Sequence, residues 1–534
     1  MAEWWQGAVF YQIYPRSFQD SDGDGVGDLP GILSRLSYIA DLGVDAIWLS
    51  PFFTSPMADF GYDVADYCSV DPLFGNLDDF DRLLAKAHDL GLKVIIDQVY
   101  SHTSDQHQWF RESRTNKTND KADWYVWEDP RPDGGPPTNW HSVFGGPAWT
   151  WDTRRRQYYL HNFLSSQPDL NFHNLAVQDA ILDVARFWLD RGVDGFRLDV
   201  ANYYFHDADL RDNPPSGLSD QSRPYLYQQH LYNRSRPESL TFTERLRALT
   251  DNYDDRMMVG ELFTSAPVDR TLAYTEGKRR LHTAYNFFFL EQDHVSQQLL
   301  QQALTPFEKQ NAWPSWSFSN HDVPRAVSRL TNGHPPGDGL AKLLLALVAG
   351  LRGTIFLYQG EELGLPQADI AFEDLQDPEA IRFWPDNLGR DGCRTPIPWE
   401  AAAHQAGFST VKPWLPIAAP HRPQAVDKQM SDPRSVLRFT QTLLAARKSL
   451  EALQKGTLTF HEAPDPMILF ERQQGASHVL CAYNPSPTPL ATPIPLPNQS
   501  RQSELVVSER ARLDGDQLTL GPYGFAWVSL RVRA

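Results

Sequence analysis

AVQDAILDVARFWLDRGVDGFRLD, residues 176–199, reads as a helix over 176–191 ended by Gly192 and then a short strand over 195–199. The same junction recurs on both sides of it. Upstream, residues 9–14 are apolar and extended, and 31–42 follow as a helix with Ile32, Leu36, Ile39 and Leu42 near a 3.6-residue period. A strand at 46–49 stops at Pro51, a helix over 77–90 ends at Gly91, and KVIIDQV (93–99) is the third strand. Downstream come a helix at 238–253 and strands at 257–262, 283–287 and 315–320. A helix at 340–351, a strand at 354–359 and a closing helix at 436–450 complete the series. Eight strands in strand-then-helix order predict a parallel sheet with helices outside it. Eight repeats favour an α/β fold of the closed (β/α)8 TIM barrel type over an open doubly wound sheet. No glycine-rich dinucleotide fingerprint follows the first strand, which also weighs against the open alternative.

Two stretches interrupt this rhythm. Residues 103–172 are polar, rich in Trp, Pro and Gly, and too long for an ordinary connection. They are expected to form a small inserted domain that splits the barrel into 1–102 and 173–450. A second Pro-rich insertion, 365–432, follows the eighth strand, and 451–534 reads as a C-terminal β-sandwich of short strands. The chain has 534 residues, and 49 Lys and Arg against 67 Asp and Glu leave a net charge of −18. So acidic a surface repels nucleic acid and anionic membranes, and neither is expected as a partner. The longest apolar run, 343–351, is about half the ~18–20 residues that cross a bilayer. Three scattered cysteines give no disulfide framework and no zinc cluster. The N-terminus, MAEWWQGAVFYQIYP, lacks the basic region and cleavage site of a leader peptide, so a cytoplasmic protein is expected.

Barrel enzymes carry their chemistry at the C-terminal ends of the strands, so acids there are informative. The third strand delivers Asp97, with His102 close behind, and the fourth delivers Arg197 and Asp199 two residues apart on one face. The fifth delivers Glu261, and the seventh His321 and Asp322. Each acid alone could be a salt-bridged strand terminus; all of them at one mouth point to paired carboxylate chemistry. An Asp beside Arg197 keeps its charge and suits a nucleophile, whereas a carboxyl among carboxylates keeps its proton and suits a general acid. That division of roles describes glycoside cleavage with retention.

On these residues the chain resembles the α-amylase superfamily, glycoside hydrolase family 13, in its bacterial α-glucosidase and oligo-1,6-glucosidase branch. GVDAIWLSP (43–51), DQVYSH (97–102), QPDLNF (167–172), GFRLDVAN (195–202), GEL (260–262) and FSNHD (318–322) match its motifs in order and strand context. The resemblance implies Asp199 as nucleophile, Glu261 as acid/base and Asp322 as the carboxylate that distorts the sugar. It also implies hydroxyl contacts from His102 and His321, with Arg197 orienting Asp199. In FGYDVADY, Tyr62 would stack on the terminal glucose and Asp63 would accept its outer hydroxyls. In GRDGCRTPIPW, Arg394 would pair with Asp63 and close the pocket, Arg390 being the less favoured candidate. A closed pocket implies exo action. Ser101 stands where the family usually has Asn, so the calcium site of amylases is not expected there.

DSDGDGVGDLPG (20–31) sets Asp20, Asp22, Asp24 and Asp28 at positions 1, 3, 5 and 9 of a calcium loop, with the Val26 carbonyl at position 7. Gly31 replaces the bidentate Glu at position 12 and no EF-hand helix pair flanks the loop. Related glucosidases carry a similar loop, so one structural Ca2+ or Mg2+ is expected, and no organic cofactor. The activity these readings predict is an exo-acting, retaining α-glucosidase on short α-glucosides of the maltose type, acting as monomer or homodimer. Transfer to alcohol or sugar acceptors, an oligo-1,6-glucosidase and a sucrose-isomerising relative stay open. Val200 resembles the α-1,6-preferring members at one residue beside the nucleophile. A non-catalytic transporter-associated relative does not fit, because the chain lacks a membrane helix and keeps all three acids.

Overall fold

The computed structural model describes residues 3–218, 223–331, 333, 337–494 and 501–532. Eight parallel strands close into a barrel: β1 Val9–Ile13, β2 Ala46–Leu49, β3 Lys93–Gln98, β4 Gly195–Leu198, β5 Met257–Glu261, β6 Thr283–Tyr285, β7 Ser315–Ser317 and β8 Thr354–Tyr358. Each strand pairs with its neighbours in the chain, and β8 pairs with β1 to close the ring. Every barrel-strand residue is buried except Lys93 at the start of β3. That burial is what helices covering a closed parallel sheet require.

The longer helices are α1 Leu29–Leu42, α2 Leu77–Asp89, α3 Leu175–Asp190, α4 Glu238–Thr250, α5 Pro267–Thr275, α6 Gln297–Gln310, α7 Asp338–Gly350 and α8 Val436–Ser449. Local chemistry sets their ends. Asn76 and Asp79 form a reciprocal capping box on α2, and Gly43, in the left-handed region, ends α1. The sequence reading has no helix at α5 or α6. The first is only nine residues long; the second is rich in Gln and carries Pro306 inside it.

Apolar packing falls into separate layers. Inside the barrel, Phe10, Trp48, Tyr285 and Phe356 fill the axis, with Phe10 and Phe356 stacked at 4.8 Å. Outside, a larger cluster joins strands to helices. The apolar run in α7 is buried along its length, because the helix lies between the barrel and the C-terminal sheet. Arg472 and Tyr483 of that sheet donate to the carbonyls of Gly350 and Ala346 at 2.7 and 3.0 Å. Among the described residues no helix is long and apolar enough to cross a membrane.

Between β3 and α3 the chain builds a three-stranded sheet of Trp127–Glu128, Trp149–Asp152 and Gln157–Leu160. The C-terminal β domain is one six-stranded antiparallel sheet ending in the long hairpin of Arg501–Asp514 and Gln517–Val532. The insertion after β8 is mostly short helical turns and loops, and it lies over the mouth of the barrel with the segment inserted after β3.

Candidate active site

The parallel register of β3 and β4 places Asp97 beside Arg197. Gly195, two residues earlier, is required by the fold: its φ is 154°, and a Cβ there would meet the Met257 carbonyl at 2.0 Å. With the strands that close, the fully buried Arg197 reaches three acids. Its Nη1 meets Asp97 Oδ1 at 2.8 Å and Asp199 Oδ1 at 2.7 Å, and its Nη2 meets Glu261 Oε1 at 2.6 Å. Glu261 Oε2 also accepts the Val200 N–H at 3.0 Å. Val200 holds a left-handed φ of 33° in the turn that follows Asp199.

One guanidinium facing three buried carboxylates sets the electrostatics. The sequence reading has Arg197 keeping Asp199 ionised; burial outweighs that pull. Burial raises the Asp199 carboxyl well above the ordinary range, against the pull of Arg197 and with the push of Glu261 and Asp97. Burial likewise raises Glu261, opposed by Arg197 and reinforced by Asp322, and it lifts Asp97 to about 6. The cluster therefore holds protons that isolated carboxylates would release near pH 4. Asp322 goes the other way. Burial alone would raise it, but His321 and the guanidiniums of Arg394 and Arg390 hold it below the ordinary carboxylate range.

His321 lies between the rings of Tyr62 and Tyr14, at 5.4 and 5.6 Å. Burial pushes it down to about 3, so it is neutral. Gln12 Nε2 donates to its Nδ1 at 2.8 Å, which leaves the proton on Nε2, facing the Tyr62 hydroxyl at 2.5 Å and Asp322 Oδ2 at 3.3 Å. The Tyr62 hydroxyl in turn donates to Asp97 Oδ2 at 3.2 Å. His102, lowered by burial to about 4, is held at Nδ1 by the Ser101 hydroxyl at 2.8 Å. Ser101 thus spends its side chain on the histidine.

Two of the expected sugar contacts stand elsewhere. Asp63 is fully buried and accepts Ser55 Oγ and the N–H groups of Ala58 and Asp59 at 2.8–3.0 Å, so it shapes the loop after β2 and does not line the cavity. Asp59, three residues before Tyr62, lines it instead. Arg394 does not reach Asp63: its Nη2 donates to Asp322 Oδ1 at 2.8 Å and its Nε to the His321 carbonyl at 2.6 Å. The arginine that closes the pocket is Arg390. Its Nη2 bridges Asp59 Oδ1 at 2.9 Å and Asp377 Oδ1 at 2.8 Å, and its Nη1 stands 3.6 Å from Asp322. Motif position offered no way to choose between two acids four residues apart, or between two arginines four apart. The choice is made by which of each pair the loop turns inward.

The resulting cavity has an empty volume of about 910 Å³, its open mouth included. Asp59, Tyr62, His102, Asp199, Glu261 and Asp322 line it, together with the rings of Phe144, Phe163 and Phe263. The Asp59–Arg390 ion pair is part of its lining.

In the loop after β1, Asp20, Asp22 and Asp28 each bring a carboxylate oxygen within 4.8 Å of the others. No cationic side chain is paired with any of them among the described residues. Asp24 is outside this group and accepts the Val26 N–H at 2.7 Å. Asp20 also accepts Ser409 Oγ from the β8 insertion at 2.5 Å. Three converging acids without a counter-cation fit a hard divalent ion.

Residues 12–456 match the family model for the α-amylase catalytic domain. A probable α-glucosidase of Rhizobium meliloti (strain 1021) is 53% identical over 504 residues, 92% of this chain and 91% of its own. An oligo-1,6-glucosidase of Heyndrickxia coagulans is 37% identical over 525 residues, 91% and 92% of the two chains. Among solved structures, the α-glucosyl transfer enzyme XgtA superposes with a TM-score of 0.95 at 52% identity, covering 99% of this chain and all of that one.

Proposed function

The chain belongs to the α-amylase family of glycoside hydrolases, and from that premise we propose that it is an exo-acting, anomer-retaining α-glucosidase on short α-glucosides. The observation that carries the reading is the gathering of Asp199, Glu261 and Asp322 around one pocket that Asp59 and Arg390 close at its inner end. The substrate's terminal glucose enters against Tyr62, with Asp59, Arg390, His102 and His321 taking its hydroxyls. Both carboxyls are raised by burial, and in the form that reacts the proton is on Glu261, whose ionisation Asp322 also disfavours, while Asp199 is the anion beside Arg197. Asp199, left ionised on Arg197, attacks the anomeric carbon while Glu261 protonates the leaving oxygen. Glu261 then removes a proton from water, or from an alcohol or sugar acceptor, as that oxygen attacks the glucosyl-Asp199 ester. Two inversions give net retention, and the aromatic outer wall leaves room for an acceptor, so transfer accompanies hydrolysis.

One observation also favours α-1,6 links. Val200 lines the cavity directly beside Asp199, where linkage is sensed, and one of the relatives is named an oligo-1,6-glucosidase. A single side chain there shifts selectivity by about 1–3 kcal/mol. In the loop after β1, a Ca2+ or Mg2+ ion would be held by Asp20, Asp22 and Asp28, with Asp24 and the Val26 carbonyl as the remaining expected ligands. It would supply cross-linking charge to the loop and no step of the reaction. Time-resolved proton NMR with maltose and isomaltose tests the reading. Glucose should appear first as the α-anomer and as the one new monosaccharide; first-formed β-glucose, or release of longer fragments, would contradict it.

A further inference from the structure

Gln12 lies buried on β1, and its carboxamide reaches two other elements of the barrel. Its Nε2 donates to Ser50 Oγ, just after β2, at 3.2 Å, and to His321 Nδ1, in the loop after β7, at 2.8 Å. An amide nitrogen has two hydrogens and no lone pair to offer, so both contacts are donations and Nδ1 accepts. The neutral imidazole then carries its proton on Nε2, which faces the Tyr62 hydroxyl at 2.5 Å and Asp322 Oδ2 at 3.3 Å. The Tyr62 hydroxyl donates in turn to Asp97 Oδ2 at 3.2 Å, and Asp97 Oδ1 is held by Arg197, the guanidinium that also holds Asp199. From Gln12 to Asp97, each group donates to the next.

We propose that Gln12 is a positioning residue that sets the direction of this chain, fixing the His321 proton on Nε2, where it is offered to the sugar and to Asp322. The proposal deepens the α-glucosidase reading and rests on it. A neutral donor is what this place needs. His321 already faces the cations Arg394, Arg390 and Arg197 and the carboxylate of Asp322, with the rings of Tyr14 and Tyr62 packed against it. A carboxylate in place of the amide would take a proton from Nδ1, and the neutral ring would then have none on Nε2. The Tyr62 hydroxyl would turn back toward the histidine and leave Asp97, and His321 would accept where it has to donate. Among the described residues Gln12 makes no side-chain hydrogen bond to Asp199, Glu261 or Asp322, so it acts on the reaction through His321.

Gln12→Glu gives a signature that simple loosening of the fold would not. At low pH either the introduced carboxyl is protonated and donates to Nδ1 as the amide does, or the imidazole carries both protons; in each case Nε2 keeps its own. At high pH the remaining proton lies on Nδ1, and the donor at Nε2 is lost. The defect should therefore be large at high pH and shrink as pH falls. The kcat/KM for 4-nitrophenyl α-glucoside should be lower than wild type by tenfold or more at pH 8, and by less than threefold at pH 5.5. Nitrogen-15 NMR of histidine-labelled protein without substrate reads the proton directly, the His321 signals being those that vanish in His321→Gln. The wild-type ring should be protonated on Nε2 from pH 5.5 to 8, and the Gln12→Glu ring on Nδ1 at pH 8. A defect of constant size across this range, or a wild-type ring protonated on Nδ1, would overturn the proposal. If Gln12→Glu does not fold, Gln12→Met decides. It removes the donor without adding charge, so a severalfold fall in kcat/KM, with part of the His321 population protonated on Nδ1, supports positioning; wild-type kcat/KM overturns it. Wild-type protein that fails to cleave the aryl glucoside would instead remove the α-glucosidase reading, while the NMR experiment would still decide where the proton sits.

Discussion

Arg197 decides most of what the other residues of the site can do. Among the described residues it is the one cation paired with Asp97, Asp199 and Glu261, all of them buried, so the ionised form of each acid disfavours ionisation of the others. The pH dependence follows from that. Burial raises the Asp199 carboxyl, so its protonation removes the nucleophile at a pH above the ~4 of a free aspartate as the solution is acidified. Burial also raises Glu261, so the acid keeps its proton above the ordinary carboxylate range and loses it as pH rises. The rate profile of kcat/KM should be a bell with both limbs above pH ~4. Glu261→Gln should remove the alkaline limb for an activated aryl donor, whose leaving group needs no proton, and lower kcat for maltose by about a hundredfold or more. An unchanged alkaline limb would place the acid elsewhere. At this scale the placement of Asp199, Glu261, Asp322 and both histidines at the barrel mouth was legible, because strand ends and motifs name them. Asp59 and Arg390 were less legible, since their roles depend on how two loops fold over one another and not on spacing along either.

Among the elements, the loop after β1 and helix α1 are joined by Asp28. Its Oδ1 accepts the Gly31 N–H and caps the helix, while its carboxylate belongs to the three-acid group. The two duties separate by substitution, because asparagine caps a helix about as well as aspartate but brings no charge to a cation. Calorimetry with and without chelator should show wild-type protein losing several degrees of melting temperature when stripped of divalent ions. Asp28→Asn should melt at the stripped temperature with or without chelator, and Asp28→Ala should melt lower still, having lost a further ~1 kcal/mol of stability with the cap. Chelator-insensitive wild-type protein would reduce the loop to a turn. Helices α5 and α6 show where element-level reading stopped. The core buries Leu300, Ala303, Leu304 and Phe307 of α6, yet the surrounding glutamines and Pro306 dilute that pattern in the sequence. Tertiary packing, not propensity, makes it a helix.

For the molecule as a whole, the barrel brings together side chains that lie far apart in sequence. Asp97, Arg197, Glu261 and Asp322 come from β3, β4, β5 and the loop after β7, and the insertions after β3 and β8 roof the same mouth. The strand-then-helix rhythm makes the closed barrel legible in the sequence. The shape of the pocket is not, because it is set by contacts between the two insertions, where neither periodicity nor motif spacing applies. The most direct measurement of the central claim is mass spectrometry of protein quenched during turnover of a slowly hydrolysed fluorinated glucosyl donor. A single fluoroglucosyl increment on the side chain of Asp199, absent from Asp199→Asn protein, is the result this account predicts. A label on another residue, or full turnover with no adduct and β-glucose as the first product, would contradict it.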